Sequence, residues 1–556
     1  MELLTHFWTA TAVNDLRAAC VFAATTGVLS HVLYFIRGYH DTRSLRIFLG
    51  HALAYNVGAG LAVTKLGLWN GIIVSTILSS TYLASLFASI VVYRLFFHPL
   101  RRFPGPVAAK ITRFYGPWIA RNGHMHLEHI KLHKKYGTIV RMAPNELFIL
   151  SSEAIPKMHA AKSGCRKKDA GVYNHVTYKG ERNIDSIMTR EEHRWRRQVW
   201  EKAFTTKALA IYEESTREVC HTWLDKLSTV GNQPINTSVF ALLIGFDHMG
   251  KIGFTHDFNT IQEGREHHML DLLETMFGAM GKLGELAWPL AILKDLNIEG
   301  EAAEFNELSR QLASKREQDH DEKHDIISYF IRDLRSEKPV AFFNQNILHA
   351  DANFILIAAT DTIGVVLSYA FYHLAKNHAQ QSKLRNEISA AFGSTIPKEF
   401  ISTDLAKIEH LDAVINETLR LDNPVASNAA RLTPPEGITV EGVWIPGGVA
   451  VRVPGYAMMR SERAFVHPDD FIPERWTTEP GLVLEPEAFF PFLTGPNNCV
   501  GKRLAMNVLR LVLSYTVFHY EFEFAPGEDG TAIYARARDN LVIRAGPLNL
   551  VFKKRD

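Results

Sequence analysis

Cysteine is scarce in this sequence of 556 residues. The four cysteines, Cys20, Cys165, Cys220 and Cys499, are too few and too widely spaced for a disulfide framework, and none forms a CxxC pair of the kind that holds zinc. This pattern excludes a disulfide-stapled secreted scaffold and is typical of a protein whose main body lies in a reducing compartment. Any chemistry at a cysteine is therefore expected from a single thiol.

An excess of charge of one sign is also lacking. The 61 Lys and Arg residues face 59 Asp and Glu residues, a formal net charge of +2 at pH 7, so no global field favours nucleic acid as a partner. Apolar residues make up 47% and charged residues 22% of the chain, which excludes the disordered and low-complexity classes. No internal repeat and no Gly/Ser-rich linker divides residues 107–556, which predicts one large body there.

Charge is rare at the N-terminus. Residues 1–93 carry only eight charged side chains, and three apolar stretches, 18–36, 47–64 and 71–93, lie between them. The third stretch has 23 uncharged residues, which as a helix span roughly 34 Å, enough to cross the hydrocarbon core of a bilayer. It predicts a transmembrane helix. The first two are predicted to cross the membrane as well, with one anchor and two peripheral apolar helices as the alternative.

Arginines follow the first and third stretches, at Arg37, Arg43 and Arg46 and at Arg94, Arg101 and Arg102. The positive-inside rule places both clusters in the cytosol, makes 65–70 a short lumenal loop and leaves the C-terminal body cytosolic, as on an endoplasmic-reticulum membrane. The run Phe103-Pro104-Gly105-Pro106 then forms a stiff exit from the membrane. The predicted domains are a membrane anchor over 1–106 and a second domain over 107–556.

The body is predicted to be mainly helical with a small sheet. Most of 189–420 and 501–520 has helical periodicity. Two short strands are predicted on either side of Pro144-Asn145, and a hairpin over 438–445 is predicted to turn at Glu441-Gly442.

Cys499 is the first residue whose surroundings indicate chemistry. It follows the turn-forming run Gly495-Pro496-Asn497-Asn498 and precedes a helical stretch. The positive end of a helix favours the thiolate, and a thiolate is a ligand for a soft metal or haem iron. A buried cysteine without such a context is most often an inert small apolar residue.

The segment 492–505 resembles the cysteine signature of the cytochrome P450 superfamily, Phe-x-x-Gly-x-Arg-x-Cys-x-Gly. Phe492, Gly495, Cys499 and Gly501 match it in type and spacing, while Asn497 stands where Arg or His contacts a haem propionate in the family. The resemblance implies the cytochrome P450 fold and haem b (iron protoporphyrin IX), with Cys499 as the axial iron ligand. Phe492 would pack beside the sulfur, and both glycines would let the backbone approach the porphyrin closely.

Two further motifs imply structural residues. Glu417-Thr418-Leu419-Arg420 resembles the Glu-x-x-Arg element of the family, whose two ends share one helix face. Pro473-Glu474-Arg475-Trp476 resembles its Pro-Glu-Arg-Phe element. The resemblance implies that Glu417, Arg420 and Arg475 form a buried triad behind the cysteine loop and take no part in catalysis.

The resemblance also implies residues that bind the haem propionates. Arg431 matches the Arg that leads into the first sheet of the family, and His193 and Arg197 fall on the Trp and Arg of its Trp-x-x-x-Arg motif. A buried carboxylate requires such donors. Arg194 and Arg196 of the same run are predicted to lie on a solvated helix face.

Polar residues interrupt the apolar stretch 354–367 at Thr360-Asp361-Thr362. One explanation is that the threonine hydroxyls bond to carbonyls four residues earlier. The other is that the stretch resembles the oxygen-activation motif of the family, with Ala359 and Ile363 departing from its preferred residues. The resemblance then implies that Asp361 and Thr362 are catalytic and relay protons.

The resemblance as a whole implies a haem-thiolate monooxygenase that inserts one oxygen atom of O2 into a lipophilic small molecule. No flavin module or phosphate-binding loop is visible, so electrons are expected from an NADPH–cytochrome reductase that docks near Lys502, Arg503 and Arg510. The alternatives are a thiolate-haem isomerase or dehydratase that does not use NADPH, and a non-enzymatic membrane haem protein.

Substrate contacts are expected, on family precedent, from 171–188, 236–280, 353–358 and 425–429. Phe240, Leu243, Phe354 and Val425 make these segments mostly apolar, which indicates a lipophilic substrate. The apolar N-terminus and the stretch Pro144-Asn145-Glu146-Leu147 resemble fungal members that act in secondary-metabolite biosynthesis on terpenoids, polyketides or indole alkaloids.

Overall fold

The structure is a computed structural model, and it describes residues 10–38, 40, 43–167, 177–283, 286–296, 298, 300–319, 323–393, 399–427 and 430–555. The chain forms two compact units. The first contains the described parts of Met1–Gly116, Arg141–Asn145 and Glu285–Glu299, and the second contains those of Pro117–Val140, Glu146–Gly284 and Gly300–Asp556.

Three long helices dominate the first unit, over Ala10–Ser30, Ser44–Leu66 and Leu68–Val92. Single π turns at His31–Phe35 and Tyr93–Phe97 extend the first and the third. Each is long and apolar enough to cross a membrane. In the apolar stretch of each helix, at most 17% is buried inside the protein. We call them the first, second and third anchor helices. They confirm the three predicted apolar helices and extend beyond the predicted bounds.

The connection between the second and third anchor helices is shorter than the predicted loop over 65–70. Only Gly67 separates them, at φ 77° and ψ 165°, a backbone conformation that glycine adopts without strain. A Cβ on Gly71 would lie 2.5 Å from the backbone nitrogen of Val63, so the helices pack backbone to backbone directly after the turn. The small residue at 71 allows the second helix to continue almost to the turn.

The Pro-rich exit after the third anchor helix is bound to the short segment 141–145. Arg141 is fully buried and donates to the carbonyl oxygens of Arg94 at 3.0 Å and Pro144 at 2.7 and 3.1 Å. Its backbone N–H donates to the carbonyl of Pro104 at 2.7 Å. A buried guanidinium that binds several carbonyls makes this exit rigid.

The remaining structure is mainly helical, which confirms the predicted fold class. In chain order the other helices are Val107–Ile111, Tyr115–Ala120, Met125–Tyr136, Ala154–His159, Arg190–Lys202, Thr206–Val230, Thr237–Phe254, Thr260–Glu263, His268–Leu283, Ala287–Asp295, Glu301–Gln318, Ile326–Leu334, Gln345–Lys376, His378–Phe392, Ser402–Leu405, Glu409–Leu421, Gly455–Met458, Lys502–His519 and Ala532–Ala535. Short 3-10 turns lie at Pro99–Arg102, Pro473–Trp476, Pro480–Leu482, Pro486–Ala488 and Gly495–Asn497.

Gln345–Lys376, which we call the central helix, forms the middle of the second unit. Its length and composition would also allow it to cross a membrane, but 67% of its apolar stretch is buried inside the protein. It packs against Thr237–Phe254 at close range, because a Cβ on Gly245 would lie 2.6 Å from the carbonyl oxygen of Thr360. The central helix is therefore a core helix.

The strands are β1 Ile139–Ala143, β2 Glu146–Ile149, β3 Arg166–Lys167, β4 Thr177–Tyr178, β5 Glu181–Arg182, β6 Ile235–Asn236, β7 Arg431–Leu432, β8 Ile438–Val440, β9 Val443–Ile445, β10 Ala450–Arg452, β11 Tyr520–Phe524, β12 Arg538–Asn540, β13 Val542–Arg544 and β14 Asn549–Lys554. The largest sheet has the order β1-β2-β10-β7-β3, with β10 parallel to β2 and antiparallel to β7. β1, β2 and the β8–β9 hairpin confirm the predicted strands. This sheet carries Arg431 toward the site described next.

Candidate active site

The loop that carries Cys499 is held in one conformation by its own backbone. The N–H of Cys499 donates to the carbonyl of Phe492 at 2.9 Å, and the N–H of Asn498 donates to that of Gly495 at 3.0 Å. Gly495 has φ 73°, and a Cβ there would collide with the carbonyl oxygen of His159. This position therefore requires glycine, as the motif predicted.

The Cys499 thiol lies in a recess. Its side chain has accessible surface, yet burial by the surrounding protein raises its pKa above the ordinary value, against the opposing N–H groups of Gly501 and Lys502 and the charge of Arg197. The helix N-terminus lowers the pKa of the thiol, as predicted, but desolvation raises this pKa by more. A cation bound in this recess would restore the thiolate, which fits a metal-ligating role.

Arg197 binds the cysteine loop directly. Its guanidinium donates to the carbonyl oxygen of Asn498 at 2.6 Å and to the side-chain oxygen of that residue at 2.9 Å, while Nε donates to Glu201. The residue predicted to bind a propionate thus also holds the residue before Cys499 in place. Asn497, which comes directly before Asn498, ends the 3-10 turn Gly495–Asn497 and is half-buried.

Three buried basic side chains gather beside the loop. Arg431 is 3% exposed, and within the described residues neither it nor His193 has a carboxylate partner. Burial lowers the pKa of His193 to about 4, aided by the charges of Lys167, Arg197 and Arg431 in that order. Burial and the charge of Arg431 lower the pKa of His159 to about 3. A buried guanidinium without a counter-ion is costly, so this cluster fits an anionic group such as a propionate. His159 is a member that sequence reasoning missed.

In the otherwise buried middle of the central helix, one stripe and the neighbouring Ala359 are accessible. Phe354, Ile357, Ala358, Asp361 and Thr362 are all half-buried, and their spacing puts them on one helix face. The predicted pair Asp361 and Thr362 therefore lies on the accessible face of the central helix.

Aromatic contacts connect this stripe with the cysteine loop. A Cβ on Gly501 would lie 3.8 Å from both the Cys499 sulfur and the Phe204 ring. Phe204 stacks on Trp200 with 6.1 Å between ring centroids, and Trp200 meets Phe354 edge to face at 6.2 Å. The loop lies next to Phe204 and the stripe contacts Trp200, so the stacked pair of these two rings connects the loop with the stripe.

Asp361 and Thr362 have different partners. The Thr362 hydroxyl donates to the carbonyl of Ala358 at 2.9 Å, as the purely structural explanation predicted. That explanation is wrong for Thr360, whose buried hydroxyl has no hydrogen-bond partner among the described residues. Burial raises the pKa of Asp361 to about 6, although Arg544, at 3.9 Å, opposes this. Arg544 also binds Glu266 at 2.8 Å and lies 3.7 Å from the half-exposed Glu274. A carboxyl with this pKa exchanges protons near neutral pH.

Glu417, Arg420 and Arg475 form a buried ionic triad. The Glu417 carboxylate accepts from Arg420 at 2.8 and 2.9 Å and from Arg475 at 2.8 Å, with all three side chains 0% exposed. The indole N–H of Trp476 and the backbone N–H of Ile472 donate to the same carboxylate. The structure brings together the residues that the two motifs predicted.

The prediction that Arg196 lies on a solvated face is wrong. Arg196 is 2% exposed and donates to Asp351 of the central helix at 2.9 Å. Asp351 is 0% exposed and also accepts from the indole N–H of Trp200 at 3.0 Å and the backbone N–H of Ile184 at 2.7 Å. Sequence reasoning missed Asp351, although its charge at the start of an apolar helix was a signal.

The expected substrate residues divide into two groups. Phe240 and Leu243 are buried in the hydrophobic core, with Phe240 packed on Trp223. Phe354 lies on the accessible stripe, and Val425 is exposed. Of the predicted segments, residues 171–176 and 428–429 lie outside the described residues.

The basic residues near the cysteine loop differ in how they are paired. Lys502 is exposed and lies over the Phe492 ring, with 5.7 Å from Nζ to the ring centroid, and Arg503 is exposed and donates to Thr206. Arg510 forms two bonds of 2.7 Å with Asp412, which neutralises its charge. Arg510 therefore offers little attraction to a partner.

Comparison with known proteins agrees with this site. The cytochrome P450 family model matches residues 104–552. The chain is 33% identical to cytochrome P450 monooxygenase FCK2 of Fusarium pseudograminearum over 540 residues, 95% of this chain and 96% of that protein. It is 34% identical to cytochrome P450 monooxygenase sthD of Phaeosphaeria nodorum over 492 residues, 85% and 99% of the two chains.

A third relative has a named reaction. The chain is 31% identical to tryprostatin B 6-hydroxylase of Aspergillus fumigatus over 549 residues, 96% of this chain and 97% of that protein. These matches confirm the resemblance, the fold class and the enzyme class that the motifs implied. The chain belongs to the cytochrome P450 family of haem-thiolate monooxygenases.

Proposed function

We propose that this protein is a membrane-anchored monooxygenase that inserts one oxygen atom of O2 into a lipophilic small molecule of secondary metabolism, such as a terpenoid, a polyketide or an indole alkaloid. The observation that carries the proposal is the stacked pair of Phe204 and Trp200, which connects the Cys499 loop with the accessible stripe of the central helix. The relative named as a hydroxylase supports hydroxylation as the type of reaction.

Haem b fits the residues of the recess. Cys499 would bind the iron through its sulfur, and Phe492, Gly495 and Gly501 would shape the loop around it. Arg431 and His193, which are buried without a carboxylate partner among the described residues, would bind the propionates. Arg197 would hold the loop and donate to a propionate from the edge of the loop. When bound, haem supplies the iron centre that activates O2, made electron-rich by the thiolate.

Asp361 would supply protons to the site. Its pKa of about 6 lets it take and release protons at neutral pH. Arg544 links it to Glu274, whose side chain is 52% exposed, so the network reaches solvent. Thr362 lies on the same accessible stripe, and its hydroxyl oxygen keeps acceptor capacity while the proton is donated to Ala358.

The electron donor would be an NADPH–cytochrome reductase. Lys502 and Arg503 are the exposed cations beside the cysteine loop and would meet an acidic docking surface. Residues 1–106 would form the membrane anchor and 107–556 the catalytic domain, on the cytosolic side of the endoplasmic reticulum. The three anchor helices support this, because each is long enough to cross a bilayer.

The proposal is tested first by the carbon-monoxide difference spectrum of the reduced protein. Cys499→Ser is expected to abolish the red-shifted band that a thiolate ligand produces. Cys165→Ala, which changes another buried cysteine, is the matched control and is expected to keep the band. A Cys499→Ser protein that binds haem and keeps the band would show that another residue is the ligand.

The reaction class is tested next. Lipophilic compounds are screened for a substrate-induced spin shift, and those that produce one are incubated with reductase and O2. We expect product only when NADPH is present, in proportion to the NADPH consumed. Product formed without NADPH would instead indicate an isomerase or a dehydratase.

A further inference from the structure

One helix from the middle of the chain belongs to the first compact unit. Ala287–Asp295 packs on the second anchor helix, Ser44–Leu66, although its neighbours in sequence belong to the second unit. The Ser44 hydroxyl donates to the carbonyl oxygen of Trp288 at 3.3 Å. The Trp288 ring also meets Phe114 edge to face, with 6.4 Å between centroids. We call residues 286–296 the docked segment.

The docked segment has a buried face and an exposed face. Ala287 and Ala291, one helical turn apart, are 2% and 6% exposed. Leu293 and Leu296 are exposed, at 40% and 53%. Small residues let two helix backbones approach closely, so the buried alanines are the expected contact face for another helix.

The docked segment also connects two helices that contact the catalytic machinery. Before it, His268–Leu283 carries Glu274, which together with Glu266 surrounds Arg544 beside Asp361. After it, Glu301–Gln318 carries Asn306, which accepts a hydrogen bond from Asn353 of the central helix. In sequence, the docked segment therefore lies in the connection between these two helices.

Anchoring alone does not require the second anchor helix. The third, Leu68–Phe97, has 30 residues and is apolar enough to cross a membrane. As a helix it is roughly 45 Å long, which exceeds the hydrocarbon core of a bilayer. A single helix of this length would keep the enzyme on the membrane. Membrane attachment therefore does not by itself explain the second anchor helix, whereas its contact with the docked segment does.

We propose that the second anchor helix is a docking surface for residues 286–296 of the same chain, and that the anchor thereby holds the connection between the two helices that flank Asp361 and Asn353. The anchor then has a role in the catalytic domain in addition to membrane attachment. This role is independent of the substrate and of the reaction.

Hydrogen–deuterium exchange of the full-length haem-loaded protein in phosphatidylcholine nanodiscs tests the proposal. Ala291→Glu puts a charge on the buried face of the docked segment, and exchange at 286–296 is expected to become about tenfold faster. The matched control is Leu293→Glu, which puts the same side chain on the exposed face and is expected to leave exchange unchanged.

Other outcomes overturn the proposal. Equal acceleration by both variants would show that lipid, and not the second anchor helix, holds the segment. No acceleration by either would show that the segment is not docked. Retention of the carbon-monoxide band in Ala291→Glu establishes that the variant is folded.

A second measurement covers the case in which Ala291→Glu does not fold. Trp288 is replaced by the photoreactive p-benzoylphenylalanine in the full-length protein, and cross-linked peptides are identified after irradiation in nanodiscs. Cross-links to residues 43–66 are expected. Their absence, with cross-linking elsewhere in the chain, would refute the docking.

Discussion

The buried pair of Asp351 and Arg196 leads to a quantitative prediction. Asp351→Asn keeps the shape of the side chain but removes its charge, which leaves the Arg196 guanidinium buried at 2% exposure without a close counter-ion. Glu192, at 3.8 Å, is the remaining acidic neighbour and is half-exposed. Loss of one partner from a buried ion pair costs about 3–5 kcal/mol.

Asp333 provides a matched control. Its carboxylate also accepts three hydrogen bonds and is 7% exposed, but its donors are the backbone N–H groups of Val340, Ala341 and Phe342, with no cation. Asp333→Asn is therefore expected to cost only about 1–3 kcal/mol. The difference between the two variants measures the cost of the uncompensated guanidinium.

The assay is urea unfolding of the haem-loaded protein in detergent, followed by circular dichroism, with free energies from the midpoint and slope. The double variant Asp351→Asn with Arg196→Gln removes both charges and is expected to recover stability, to a total cost of about 1–3 kcal/mol. The reasoning fails if Asp351→Asn costs no more than Asp333→Asn, or if the double variant is no more stable than Asp351→Asn alone.

Three further predictions concern the site. Thr362→Ala is expected to keep haem binding and the spin shift but to lower product while NADPH consumption and hydrogen peroxide release continue; full coupling would contradict the relay. Asp361 has a pKa raised from 3.8 to about 6, so its ionisation lowers stability as pH rises through that window. Asp361→Asn should remove a cost of about 3 kcal/mol above pH 7 and less at pH 5, as measured by urea unfolding. Asn497→Arg is expected to slow haem loss to apomyoglobin by adding a propionate donor, and faster loss would show that the loop excludes this side chain.

Part of the site could be predicted because its information is local. The spacing of Phe492, Gly495, Cys499 and Gly501 is a property of one short loop, and backbone hydrogen bonds within the loop fix its turn. The apolar anchor helices follow from composition over about 20 residues, because a helix of that length crosses the hydrocarbon core of a bilayer. For the same reason β1, β2 and the β8–β9 hairpin agree with the predicted strands.

Arg196 and Arg197 show where local information ends. The two residues are adjacent on one helix, and successive side chains point about 100° apart. Which one faces the interior depends on Asp351, which lies 155 residues away in sequence. Phe240 and Leu243 were likewise apolar enough for either a substrate wall or the core, and packing against Trp223 placed Phe240 in the core.

By itself, the sequence determined the cysteine motif, the helical character of the body and the three apolar helices, because each depends on residues close together in the chain. Only the tertiary structure decided that Asp361 has a pKa of about 6, that Arg196 is buried and that residues 286–296 lie on an anchor helix. Desolvation and ion pairing depend on which distant segments surround a side chain, and the chain has that arrangement only when it is folded.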